Sequence, residues 1–591
     1  MTKNHTHLNT AILFLILFTC FACRKAPKEA PEKLIVNVRL AVDPGKLNPL
    51  LSLNGYAEQV MGSIFMGLQE FAPSDYSLRP ALARQSPTHR RIETGPFKGG
   101  IAYDFEILEE AIWDNGMPVL ASDYVFSLKA MFNPEVAAAA YRSFFDFIAD
   151  VIIDKKNPKR FSVLTNKTYL LSEAAMSSIS VYPKHVYDPE SLLDVFSIGD
   201  LKNDSITKIN KKVLLKFANQ FQAPLHSSDP KGIVGCGPYK LVEWESGQYI
   251  ILQKKENWWG DKLAKDHPAL IARPDEILYK IIPDNAAALT ALKGGQLHVV
   301  SEINPLAFSE LKQNTYVKEN FDLYTPLYLS YYYIALNGKR PWLNDPKVRR
   351  AIAHLTDVEQ IIKSSFFGLA ERVTGPIHPS KPFYNRELPP IQFDIEKARQ
   401  LLSEAGWTDS DGDGVLDKTI SGKQEQLSLK YIYTSDNESG EAVGLLLKQA
   451  AERVGIRINI KGMEFRAAVT AYRGRDYDLA YSLWLNLPGP EDMKQLWHTS
   501  SDLPNGGNRT GFGNSSSDAL IDSIRTTLDE ETRKDLYLRI QKRIYDDQPY
   551  VFLYAPLERI VINKKFKAST SALRPGFSIR QFHVQKTTAN H

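Results

Sequence analysis

Two groups of residues in this 591-residue chain have the types and spacing for chemistry. The first is Asp409-Ser410-Asp411-Gly412-Asp413-Gly414-Val415-Leu416-Asp417. It sets carboxylates at the 1, 3, 5 and 9 positions of a calcium loop with glycine at the turn. Position 12 is Ile420, so the bidentate glutamate is missing; the spacing reads as a turn-forming Asx/Gly loop, no metal is assigned, and Asp409, Asp411, Asp413 and Asp417 stay a weak calcium candidate. The second group is Cys20 and Cys23, which close an apolar run, with Cys236 far away. Signatures of hydrolases, zinc peptidases, P-loops and dinucleotide sites are absent, and the 12 histidines do not cluster at ligand spacings. No enzyme activity and no cofactor is expected. Tyr56, Tyr141 and Trp484 read as loop aromatics able to wall a pocket.

Lys3 precedes an apolar run over residues 11–22, the length of a signal h-region. Residues 1–22 are therefore expected to be a signal peptide and residues 23–33, charged and proline-bearing, a tether. The junction resembles the lipobox of bacterial lipoproteins: Cys23 follows the small Ala22, while the alternative Cys20 has Leu17 three residues before it. The resemblance implies acylation and attachment to a lipid membrane. After processing only Cys236 remains, which excludes an internal disulfide. Lys plus Arg number 72 against 68 Asp plus Glu, a net charge of +4 scattered along the chain, which argues against nucleic acid as partner.

The pattern is α/β. Residues 34–40 read as a strand, 58–67 as a helix and 103–108 as a strand; Ser122 reads as the N-cap of a helix ended by Asn133-Pro134. Asp345-Pro346 and Asp394 each cap an amphipathic helix. Residues 427–433, 441–454 and 456–460 form a βαβ unit, and residues 477–484 add a strand. Residues 88–100 and 197–229 look like surface excursions. His378 reads as a loop residue.

Along the mature chain a series of blocks resembles the extracellular solute-binding proteins that include bacterial oligopeptide and dipeptide receptors. The blocks are Leu47-Asn48-Pro49, Trp113-Asp114-Asn115-Gly116, Ala121-Ser122-Asp123-Tyr124-Val125-Phe126-Ser127, Gly235-Cys236-Gly237-Pro238-Tyr239 and Asn257-Trp258-Trp259-Gly260. Ala291-Leu292-Lys293-Gly294-Gly295, Ala335-Leu336-Asn337, Val348-Arg349-Arg350-Ala351-Ile352 and Lys397-Ala398-Arg399-Gln400-Leu401-Leu402 follow. The resemblance implies a two-lobed, type II-like periplasmic-binding fold with an extra α+β domain. Lobe I would comprise residues 34–66, 233–328 and 557–591, the inserted domain 67–232 and lobe II 329–556, with crossings near Leu329 and Leu557. It implies a monomer that captures a peptide or peptide-like solute and delivers it to ABC importer permease subunits. Ligand contacts would come from Leu53, Asn54, Gly55 and Tyr56 by backbone pairing, from Tyr141 and Trp484, and from Asn486, which stands where peptide receptors carry an ammonium-binding aspartate; Glu491 or Asp492 would be its substitutes. A non-peptide solute, a glycan fragment or metal chelate, remains the alternative and an exported hydrolase a remote one.

Overall fold

The computed structural model describes residues 33–504 and 506–585. The expected signal peptide, Cys20, Cys23 and all but the last residue of the expected tether lie outside them. Among the described residues no helix is long and apolar enough to cross a membrane.

Two large sheets carry the chain. The first runs, in spatial order, Phe321–Tyr324, Ile560–Asn563, Val299–Val300, Ile35–Leu40, Glu276–Ile281, Tyr249–Lys254 and Tyr239–Glu245. Its central strand, Ile35–Leu40, is parallel to both neighbours and buries Val36, Val38 and Leu40. Arg39 in the same strand is buried too, and is tolerated because the carbonyls of Ile282 and Pro283, at 2.9 and 2.7 Å, and the Asn285 amide oxygen, at 2.8 Å, satisfy its guanidinium.

The second sheet runs Ala370–Arg372, Tyr550–Pro556, Ser330–Leu336, Leu479–Leu485, Ser428–Thr434 and Arg457–Met463. Its interior strand Tyr550–Pro556 is buried along its whole length. The expected βαβ unit forms from Ser428–Thr434, the helix Glu438–Glu452 and Arg457–Met463, the two strands pairing parallel from Ser428 opposite Arg457. Asp345 and Asp394 accept from Lys347 N and Lys397 N, capping Pro346–His354 and Ile395–Glu404.

A four-stranded antiparallel sheet, Thr88–Arg91, Ile101–Glu106, Arg160–Thr165 and Ile148–Ile153, falls in sequence between the strands Ile35–Leu40 and Tyr239–Glu245 of the first sheet. It corrects several expectations. Residues 88–91 are a paired edge strand, its outer row charged and exposed. Residues 197–229 are helical, and Lys211–Phe221 buries Leu214, Phe217, Ala218 and Phe221 completely; its polar face hid an amphipathic period. The helix Ala121–Phe132 starts from Leu120 rather than Ser122, because the Asp123 carboxylate reaches back to Leu120 N at 3.0 Å and closes the first turn. The helix read over residues 58–67 is Gly55–Met61.

The chain passes between the large sheets twice, at residues 325–329 and 557–559. The two passages lie side by side: Leu327 bridges Leu557, Tyr328 N donates to Pro556 O at 2.9 Å, and Glu558 N donates to Pro326 O at 2.7 Å.

Candidate ligand-binding site

The sequence blocks converge on scaffolding. Trp113 Nε1 donates to Asp123 at 3.2 Å, so two blocks separated along the chain form one joint. Lys255 pairs with Asp114 at 2.6 Å and donates to Gly235 O at 2.6 Å, tying that joint to the glycine block. Gly237 N donates to Ile64 O at 2.8 Å, and a Cβ on Gly235 or Gly237 would stand 2.2 or 2.7 Å from that same oxygen. Backbone approaches backbone here, so only glycine fits. Cys236 between them is buried, and burial pushes its thiol up to about 12, which removes the thiolate needed for reactivity.

Between the four-stranded and six-stranded sheets lies a cavity of about 380 Å³. Phe71, Tyr76 and Tyr103 wall it from one side, Phe383, Pro488 and Pro490 from the other, and Leu329, where the chain crosses, closes part of it. Phe383 is held by a parallel stack on Tyr537, centroids 4.4 Å apart. Lys381 reaches the same cavity, yet it is almost fully buried and forms an ion pair with Glu491. Burial lowers the Lys381 ammonium and the Glu491 carboxylate opposes that shift. A buried pair of this kind is strongly destabilising only when one partner is removed.

The loop after Leu479–Leu485 builds the wall around this pair. Asn486 is buried; its N donates to Leu329 O at 2.8 Å and its Nδ2 to Glu491 at 2.8 Å, while its Oδ1 has no partner among the described residues. Asp492 accepts from Arg525 at 3.0 Å and from the Tyr169 hydroxyl at 3.0 Å, and Leu170 N donates to Arg525 O at 2.9 Å. Tyr169 and Leu170 follow the four-stranded sheet, so these bonds clasp the two sides of the cavity together.

The profile of the bacterial extracellular solute-binding proteins, family 5, matches residues 78–506, well over half of the chain. The chain belongs to that family. Among curated relatives, the oligopeptide-binding protein AppA of Bacillus subtilis (strain 168) is 28% identical over 465 residues, 78% of this chain and 76% of AppA. The solved structure of AppA in complex with a nonapeptide shares the fold at a TM-score of 0.66 and 23% identity, covering 94% of this chain and 100% of AppA. NikA of Brucella suis, solved with Fe(III)-EDTA, superposes at 0.72 with 18% identity, covering 93% of this chain and 100% of NikA. The two-lobed fold is thus shared.

In this family 5 protein the remaining sequence candidates lie apart from the cavity just described. Leu53 is 71% exposed. Asn54 accepts from Tyr56 N at 2.9 Å and caps Gly55–Met61, so Gly55 and Tyr56 are helical and do not offer extended backbone. The Tyr56 hydroxyl donates to Glu302 at 2.6 Å. Tyr141 is in the helix Ala139–Phe144 rather than a loop, its hydroxyl on Pro49 O at 3.0 Å, and Trp484 is a half-buried strand residue opposite Tyr331. The Asp409, Asp411 and Asp413 carboxylates come within 4.8 Å of one another, each accepting a backbone N–H of its own loop. Asp417 is buried and turned to Ser410 and Gln424. Lys381, Phe383, Tyr169 and Arg525 escaped the sequence reading; nothing in their local spacing marks them.

Proposed function

We propose that this extracellular solute-binding protein is the capturing component of an ABC importer, enclosing a peptide or peptide-like solute between its lobes and handing it to membrane permease subunits. The observation that carries the reading is the interlobe cavity bounded by Leu329 of the first chain crossing, with the second crossing paired beside the first. Two adjacent strand-like passages are a hinge, and a ligand touching both walls favours the closed form by its differential affinity. AppA, solved with a nonapeptide, supports a peptide as cargo. In this reading residues 34–66, 233–328 and 557–591 make lobe I, residues 67–232 are inserted in it, and residues 329–556 make lobe II. Cys23, or Cys20 in its place, is acylated and holds the chain to the membrane; intact-mass measurement of detergent-extracted protein checks this, and an unmodified cysteine refutes it.

One observation favours a non-peptide solute as the second reading: the charge of Glu491 is spent on Lys381 and Asn486 contributes none, so the position where peptide receptors carry their ammonium-binding aspartate offers no unpaired carboxylate. NikA, solved with Fe(III)-EDTA, shows that the fold is compatible with such cargo. Native mass spectrometry of protein purified without refolding separates the readings. A retained mass that fragments into amino acids supports the first; a retained sugar or chelate replaces it with the second. Titration with peptides then adds a check at Asn486: Asn486→Asp is expected to tighten binding of peptides with a free amino terminus.

A further inference from the structure

A second cavity, of about 360 Å³, lies on the lobe I side, beside Ser52 and the helix Gly55–Met61. Most of its wall is apolar, with Leu50, Met61, Phe65, Met131, Phe145 and the Tyr182 ring. The Tyr141 and Tyr182 hydroxyls are spoken for, donating to Pro49 O at 3.0 Å and to Asn48 Oδ1 at 2.9 Å, while Ser52, Ser178 and Ser180 add polar edges. Glu58, exposed at its mouth, lines it with a carboxylate that makes no hydrogen bond and no ion pair among the described residues. The charged group that acts on it, Arg574, stacks over Tyr328 at 5.1 Å and forms no salt bridge with it. Surrounding protein pushes the Glu58 carboxyl upward against the pull of Arg574; burial raises Tyr141 and Glu58 raises it further, and both residues line this one cavity.

We infer that this cavity is a specificity pocket for a basic ligand side chain, lysine-like, its methylene stem against the Met61, Phe65 and Met131 wall and its cation on Glu58. A purely apolar side chain would desolvate an unpaired carboxylate, and an acidic one would be repelled. A long alkyl chain ending in an ammonium satisfies both the wall and the charge, and the bond to a carboxylate is about twice as strong as a neutral one. Arg574, which acts on Glu58, lies over Tyr328, the neighbour of Leu329 in the wall of the interlobe cavity, so a solute held there and reaching toward Ser52 would drop one side chain into the pocket. The inference rests on the peptide reading of the interlobe site and narrows it.

Pentapeptides of alanine carrying one lysine, at each position in turn, are titrated calorimetrically into the mature chain beside the matching norleucine set. At one position lysine is expected to bind about tenfold tighter than norleucine, a difference near 1.4 kcal/mol. Glu58→Gln is expected to abolish that difference, weakening the lysine peptide without weakening the norleucine one, and Glu58→Asp to retain part of it. Equal affinities at every position, or a lysine preference that survives Glu58→Gln, overturn the pocket and leave peptide binding intact. Binding by none of the ten peptides overturns the pocket and the peptide reading together.

Discussion

At the scale of single residues, His378 joins the site to its hinge. It is fully buried, its Nε2 donates to Tyr328 O at 2.9 Å within the first crossing, and its Nδ1 accepts from Ser380 N at 3.2 Å. Both nitrogens are thus committed to the neutral form. Burial, with Lys381 nearby, lowers its pKa from 6.5 to about 4, against the raising effect of the bond to Tyr328. A histidine depressed in the folded state contributes stability above its unfolded pKa, and that contribution is lost as pH falls through 6.5 toward 4. The loss from this group is at most about 3 kcal/mol. Urea midpoints measured from pH 7 to pH 4 are expected to fall, and His378→Gln to fall less steeply; parallel slopes would refute the assignment. The sequence showed His378 as a loop histidine next to prolines. That the loop folds back onto Tyr328, 50 residues earlier, is tertiary information no local pattern holds.

At the scale of elements, what was legible is what short-range chemistry determines. Asp345 and Asp394 sit directly before their helices and cap them, and the 428–463 unit shows its strands and helix by period alone. Ser122 misled because a capping carboxylate three positions into the helix, Asp123, does the work usually given to the N-cap side chain. The glycine block was recognisable, but its reason was not: Ile64 O must come within bonding distance of Gly237 N. Gly237→Ala therefore overpacks a backbone contact, where no rotamer change gives relief, and is expected to destabilise by about 1–3 kcal/mol. Chemical denaturation of the variant checks this, and an unchanged midpoint would show that the 64–67 segment yields. The cavity walls were illegible for the opposite reason, since residues 71–78, 381–383 and 488–490 meet only after all three sheets have formed.

For the whole molecule, the clasp between Tyr169, Asp492 and Arg525 sets how readily the lobes part. These groups do not need to touch the solute to change its affinity, because apparent affinity scales with the population of the closed form. The pair is partly exposed, at 25% and 20%, which screens it. Arg525→Ala is expected to weaken solute binding by about 1 kcal/mol, roughly fivefold in Kd, with a faster release rate. Small-angle scattering of the ligand-free variant should show a larger radius of gyration than the parent; identical scattering with identical affinity would leave the clasp without a role.

The double crossing also dictates an order of assembly. The six-stranded sheet is built from one unbroken stretch, Ser330 to Pro556, and has every strand it needs before the chain is finished. The seven-stranded sheet does not: Ile560–Asn563 is inserted between Phe321–Tyr324 and Val299–Val300, so its first-made strands must wait, with one slot open, for nearly the last segment to arrive. In a chain emerging from its amino terminus, the lobe that begins first closes last.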